Sequence, residues 1–199
     1  MAAVILDHNL EVDPVVTPAD ELKPLVARAR VGDRRALEDL LSASYDHVYP
    51  VCRRVLGNEA DAADAAQEAL ISVVRGLPRF DGRSRFSTWL YRIAMNAAID
   101  ELRRRGRRPI APFPPAERTG GGPSGVGADE AVGMIDVEVA LRALPLEFRA
   151  AVVLRDVCGM DYAEIAEVLS IPGGTVRSRI ARGRSLLAQR LGPAMEASP

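Results

Sequence analysis

Residues 161–191, DYAEIAEVLSIPGGTVRSRIARGRSLLAQRL, decide how the second half of this chain folds. Asp161 stands where a helix N-cap belongs, and Glu164 three residues later completes a capping box in its Asp form. Tyr162, Ile165, Ala166 and Leu169 recur at three- and four-residue steps, the buried stripe of a short helix. Pro172, Gly173 and Gly174 then break the chain, and a second helix begins near Thr175. Helix, tight turn and helix make a helix-turn-helix, a unit whose second helix enters the DNA major groove.

A wheel at about 100° per residue sorts that second helix into faces. Val176, Ile180, Gly183 and Leu187 cluster and must pack inward. Gly174, Ser178, Ala181, Arg182 and Ser185 lie opposite them, with Arg177 and Arg179 on the flanks. A solvated helix usually mixes both charge signs for i,i+4 pairing; here no acid occurs between Ile171 and Leu191. Thr175, Arg177, Ser178, Arg179, Ala181, Arg182 and Ser185 are therefore the candidate DNA-reading set. Arg177 and Arg182 can each fork onto a guanine, a contact worth roughly 1–3 kcal/mol of base discrimination.

Upstream, residues 109–133, PIAPFPPAERTGGGPSGVGADEAVG, combine residues that lock the backbone with residues that free it, and so read as a flexible linker. The linker divides a helical block at 134–192 from a larger one at 21–108. Residues 1–20, with Pro14 and Pro18 and no sustained periodicity, read as a flexible N-terminal tail, and 193–199 as a frayed C-terminus. In the first block Leu37, Leu40, Leu41, Tyr45, Val48 and Val51 form one helical stripe. A second helix runs from an N-cap at Asp61 to about Arg75, and a third from about Thr88 to Arg105 along Leu90, Ile93, Ala94, Ala97, Ala98 and Leu102. The chain is only 5% aromatic and rich in Ala, Leu and Arg, a balance that favours helix over sheet. The expected fold class is all-α, two small helical domains joined by a flexible linker.

Two charged segments stand out in the first block. From Arg75 to Arg108 ten arginines face three acids, Asp81, Asp100 and Glu101, for a local charge of +7 in a chain whose net charge is -1. A cationic C-terminal turn complements the helix dipole, but one or two charges suffice for that. A concentration this high is best tolerated where a polyanion neutralises it. Glu59, Asp61, Asp64 and Glu68 meet no basic residue from Gly57 through Val74. Asp61, Asp64 and Glu68 share one helix face, which marks a surface for a basic protein partner. Acids near a helix start also satisfy its dipole, which accounts for Asp61 better than for Glu68.

Other classes of function find little support. Cys52 and Cys158 lack the spacing of a zinc or redox motif and read as reduced core thiols of a cytoplasmic protein. His8 and His47 have no ligand partners at metal spacing. No nucleophile–base pair, paired carboxylates or Gly-rich phosphate loop is present, so neither an enzyme nor a cofactor is expected. No apolar run is long enough for membrane insertion. Phe80, Phe86, Trp89 and Tyr91 read as core in preference to base-stacking platforms. A DNA-binding regulator acting without polymerase would use residues 134–192 and leave the acidic helix and the Arg-rich loop idle.

The segments DAADAAQEALISVVRGLPRFDGRSRFSTWLYRIAMNAAIDELRRRGRR and ALRALPLEFRAAVVLRDVCGMDYAEIAEVLSIPGGTVRSRIARGRSLL resemble the sigma-70 superfamily, specifically its small extracytoplasmic-function (ECF) members, which keep only the second and fourth conserved regions. With the preceding helix the resemblance spans residues 21 to 192. It implies a sigma region 2 bundle at 21–108 and a region 4 helix-turn-helix at 134–192. It implies an alternative sigma factor that binds core RNA polymerase through the clamp helices of the largest subunit and the flap. Such a protein directs the enzyme to promoter DNA, promotes melting, and is held inactive by an anti-sigma factor. Carried onto these residues, Asp61, Asp64, Gln67 and Glu68 would bind polymerase. Arg83, Ser84, Arg85, Arg92, Asn96, Arg103, Arg104 and Arg105 would bind the minus-ten element, with Asn96 at a flipped-base pocket. The positions Arg177, Ser178, Ala181 and Arg182 would read the minus-thirty-five element, in agreement with the wheel. The linker would thread the polymerase cleft. Two departures stand out: Ala63, Ala65 and Ala66 replace larger or polar residues, and Ala181 replaces a bulkier group.

Overall fold

The computed structural model describes residues 22–107 and 137–195, and every regular element among them is helical. The expected tail, the linker at 109–133 and residues 196–199 lie outside the described residues. In the first block α1 spans Lys23–Arg30, α2 Arg34–Leu56, α3 Glu59–Gly76 and α4 Phe86–Arg107, with a 3-10 turn Leu77–Arg79 between the last two. In the second block residues 137–142 form α5. α6 follows at Leu146–Val152, then a π-helical turn Val153–Val157, α7 at Tyr162–Leu169 and α8 at Gly173–Met195.

Local chemistry sets the boundaries. Asp33 caps α2 by accepting the Ala36 N–H at 3.0 Å, and Arg28 Nε donates to it at 2.8 Å. These hydrogen bonds, the backbone one foremost, hold the Asp33 carboxyl below its usual pKa. α2 stops at Gly57, whose φ of 76° places it in the left-handed region that favours glycine. The cap of α3 differs from expectation. Asn58, not Asp61, is the N-cap, and its side chain accepts the Asp61 N–H at 2.8 Å. Asparagine competes well for this position, and placing it there starts the helix three residues earlier. The second helix of the helix-turn-helix likewise starts at Gly173 and runs to Met195, past the boundary expected at 192.

Small residues let the helices approach. Ala62, Ala65, Ala66 and Ala69 are buried along α3, and a longer side chain at any of them would push α3 off its neighbours. Two of the three alanines that depart from the family pattern, Ala65 and Ala66, are therefore core, and only Ala63 is exposed. Gly183 does the same for α8: a Cβ there would lie 2.6 Å from Val152 Cγ2 and 3.3 Å from the Phe148 carbonyl oxygen.

The two blocks do not stand apart; their cores merge into one continuous cluster. Arg149 of α6, 9% exposed, donates to the carbonyl of Val55 at the end of α2 as well as to those of Arg142 (2.6 Å) and Leu144 (2.9 Å) of its own block. Arg53 pairs with Glu138 at 2.8 Å, and the Arg142 side chain lies over Gly57. Cys158 of the second block is buried close to Tyr91 and Arg54 of the first. At the other end of this interface α7 packs on α4.

Candidate nucleic-acid interface

The face of α8 turns out as the wheel requires. Val176, Ile180, Gly183 and Leu187 are buried; Arg177, Ser178, Ala181, Arg182 and Ser185 are exposed; Thr175 and Arg179 are half-buried. α7 carries the full capping box, with Glu164 N–H on Asp161 at 2.8 Å and Asp161 N–H on Glu164 at 2.9 Å. Tyr162 departs from its expected place in the buried stripe. It is 40% exposed, with the Arg155 guanidinium 5.2 Å and the Arg177 guanidinium 5.9 Å from its ring centre, and Val168 is buried instead. At the first position of α7 an amphipathic ring can stay wet while holding cations over its face. Tyr162, which periodicity alone assigned to the core, thus lies beside Arg177, one of the arginines expected to read DNA.

The Arg-rich segment is arranged less simply. Asp81 accepts the Arg83 N–H at 3.1 Å and pairs with its guanidinium at 3.0 Å, around a Gly82 at φ 76°. Arg85 pairs with Glu164 at 3.2 Å and Arg92 with Glu167 at 3.6 Å, both across the block interface. Arg103, Arg104 and Arg105 pair with Asp100 (3.1 Å), Glu101 (2.9 Å) and Asp61 (3.1 Å). The six arginines expected to bind the minus-ten element therefore all have carboxylate partners, which a charge count along the chain does not reveal. The pairs exposed on both sides, those of Arg83 with Asp81, Arg92 with Glu167 and Arg103 with Asp100, are worth about 0–1 kcal/mol each, whereas Glu101 is buried and Glu164 largely shielded.

Beside this loop lies an open cleft of about 480 Å³ lined by Arg79, Phe80, Asp81, Arg83, Ser84, Trp89, Arg92 and Glu167. Phe80, Phe86 and Trp89 pack within 5.1 to 5.7 Å of one another between their ring centres. Phe80, Phe86 and Tyr91 are buried as expected; Trp89 is half-buried and also lines the cleft. Tyr91 has its hydroxyl pKa raised, chiefly by burial. Asn96 is exposed further along α4 and is not among the residues lining this cleft.

On α3, Asp64, Gln67 and Glu68 are exposed, and neither acid makes an ion pair among the described residues. Asp61 is set apart from them. It is half-buried and held by Asn58 Nδ2 at 2.6 Å and by Arg105. No group of three or more His, Cys, Asp or Glu among the described residues is placed to hold a metal ion. None of the described helices is long and apolar enough to cross a membrane.

The family model for Sigma-70 region 2 matches residues 40–108, and that for Sigma-70, region 4 matches 134–187. The ECF RNA polymerase sigma factor SigE of Mycolicibacterium smegmatis is 39% identical over 185 residues, covering 88% of this chain and 70% of that protein. This chain belongs to the sigma-70 family, as an ECF sigma factor. SigW of Bacillus subtilis, also an ECF RNA polymerase sigma factor, is 34% identical over 183 residues, covering 85% of this sigma factor and 96% of its own length. Among solved structures, CnrH in complex with the cytosolic domain of CnrY superposes with a TM-score of 0.65 at 26% identity, covering 85% of this sigma factor and 96% of that chain. As a sigma factor, the chain is a transcription initiation factor.

Proposed function

We propose that this sigma factor binds core RNA polymerase through Asp64, Gln67 and Glu68, with Asp61 at the margin, and carries the enzyme to promoters that it reads with two surfaces. The observation that carries this reading is the exposed face of α8. A row of short polar groups and arginines, free of acids, is presented by a helix whose opposite side is locked into the core. Arg177, Ser178 and Arg182 read base edges of the minus-thirty-five element, Ala181 offers a methyl to thymine, and Thr175, Arg179 and Ser185 contact the backbone. The minus-ten strand lies along Arg83, Ser84, Arg85, Arg92, Asn96 and Arg103–Arg105, where phosphates replace the carboxylates that now pair with the arginines. A base leaving the stack enters beside the loop, and phosphate contacts offset the few kcal/mol of unstacking.

The proposed division is a region 2 domain at 21–108, a linker at 109–133 and a region 4 domain at 134–192. The protein works in the cytoplasm, where the promoter is, and catalyses no reaction of its own. An anti-sigma factor holds it inactive; that its structural neighbour CnrH is bound by the cytosolic domain of CnrY supports a protein partner on this fold. The test is transcription from genomic DNA with purified core polymerase. Arg177→Ala or Arg182→Ala is expected to lower promoter affinity roughly 5- to 150-fold, the equivalent of about 1–3 kcal/mol per guanine contact, while leaving polymerase binding intact. Failure of the wild-type protein to start RNA at any site would refute the proposal.

A further inference from the structure

The helix-turn-helix faces the Arg-rich surface of its own chain, and it does so with acids. Glu164 and Glu167 stand three residues apart on α7, on the side that packs against α4. Glu164 divides its two oxygens: Oε2 accepts the Asp161 N–H in the capping box, and Oε1 takes Arg85. The Glu164 side chain is only 14% exposed, so the pairing is partly shielded from water. Glu167 takes Arg92 and supplies one wall of the cleft beside the Arg-rich loop. We propose that Glu164 and Glu167 form a carboxylate latch that occupies Arg85 and Arg92 in place of DNA phosphates, so that the free sigma factor closes its own minus-ten surface. The proposal rests on the reading that Arg85 and Arg92 contact DNA.

Geometry makes the closed form incompatible with a whole promoter. The minus-ten and minus-thirty-five elements are about 25 base pairs apart, roughly 85 Å at 3.4 Å per pair. In the closed chain the minus-ten surface abuts α7, the helix next to the reading helix α8, with Arg85 and Glu164 at 3.2 Å, so the two surfaces share one compact body. The two blocks must therefore part before both elements are bound. Residues 109–133, fully extended, reach roughly 80–90 Å, which allows it. The latch is weak enough to yield, because partly exposed pairs give way to a polyanion and to salt. Arg149 and the Arg53–Glu138 pair hold the far end of the interface and keep the latch in register.

The test uses the full chain with Glu164→Gln and Glu167→Gln together; glutamine at 164 retains the capping box and removes only the charge. The probe is a fluorescent pool of random single-stranded 12-mers, read by anisotropy at low salt. The double variant is expected to bind about 3- to 10-fold more tightly, as loss of two weak pairs allows. A thiol reagent should also modify Cys158, which sits against the first block, several-fold faster, while Cys52 inside that block stays protected. Asp39→Asn with Asp46→Asn makes the same charge change on exposed positions of α2 and must not reproduce either effect. Unchanged oligonucleotide affinity in the Gln variant overturns the latch, whether or not Cys158 reacts faster. Arg85→Gln with Arg92→Gln separates the two ideas. If it does not weaken DNA binding, the minus-ten reading fails and the latch falls with it; if it does, a failed latch leaves that reading standing.

Discussion

Replacing Arg149 with methionine is expected to lower the stability of the whole chain by about 3–5 kcal/mol, because it strips three carbonyls of their donor at about 1–3 kcal/mol each, less the relief of Arg149's own desolvation. Methionine keeps much of the side-chain volume, so the loss is polar rather than a cavity. The guanidinium binds three carbonyls, those of Val55, Arg142 and Leu144, and only Val55 belongs to the first block. Each bond from a charged donor contributes about 1.5–3 kcal/mol net, and the burial of Arg149 and its unpartnered Nε already offset part of the sum. Burial, with the nearby Arg142 charge, also lowers the Arg149 pKa, though arginine stays protonated at neutral pH. For a chain of this size the loss corresponds to a fall in Tm of roughly 6–20 °C. Thermal unfolding followed by circular dichroism at pH 7 measures it. Arg149→Lys, keeping the charge but unable to span three carbonyls, should fall between wild type and Met. A Tm within about 2 °C of wild type for Arg149→Met would show that these bonds do not hold the blocks together.

Three further outcomes are expected. Gly183→Ala should destabilise by about 1–3 kcal/mol in a urea titration, despite alanine's better helix propensity, because its Cβ would collide with Val152 and the Phe148 carbonyl. Asp161→Ala should cost about 1 kcal/mol by removing the cap of α7, and Asp161→Asn much less. Burial pushes the thiols of Cys52 and Cys158 from 9.0 up to about 12, so both should resist a thiol reagent at pH 8 and react once urea unfolds the chain. Their raised pKa values also set a direction. Stability is intact below pH 9, the unfolded thiol value, and declines as pH climbs from 9 toward 12, because only the unfolded chain releases these protons.

The helix-turn-helix was legible from residues 161–191 because its determinants are local. A capping box, a Pro-Gly-Gly break and a 3.6-residue period act over a few residues, and the inward set Val176, Ile180, Gly183 and Leu187 follows from them. The all-helical class and the acidic face of α3 are local in the same sense. Tyr162 escaped the pattern, since a ring at a helix's first turn fits a stripe in sequence while lying beside Arg155 and Arg177 in space. The pairing of Arg85 and Arg92 across the block interface was not legible at all. Glu164 and Glu167 lie 79 and 75 residues beyond Arg85 and Arg92, and no periodicity links such positions. Nor does composition say that Arg149 caps α2 or that Cys158 closes against Tyr91. Short-range backbone and side-chain preferences determined the helices and their faces; which charged faces meet was decided only when two apolar surfaces, distant along the chain, were packed together.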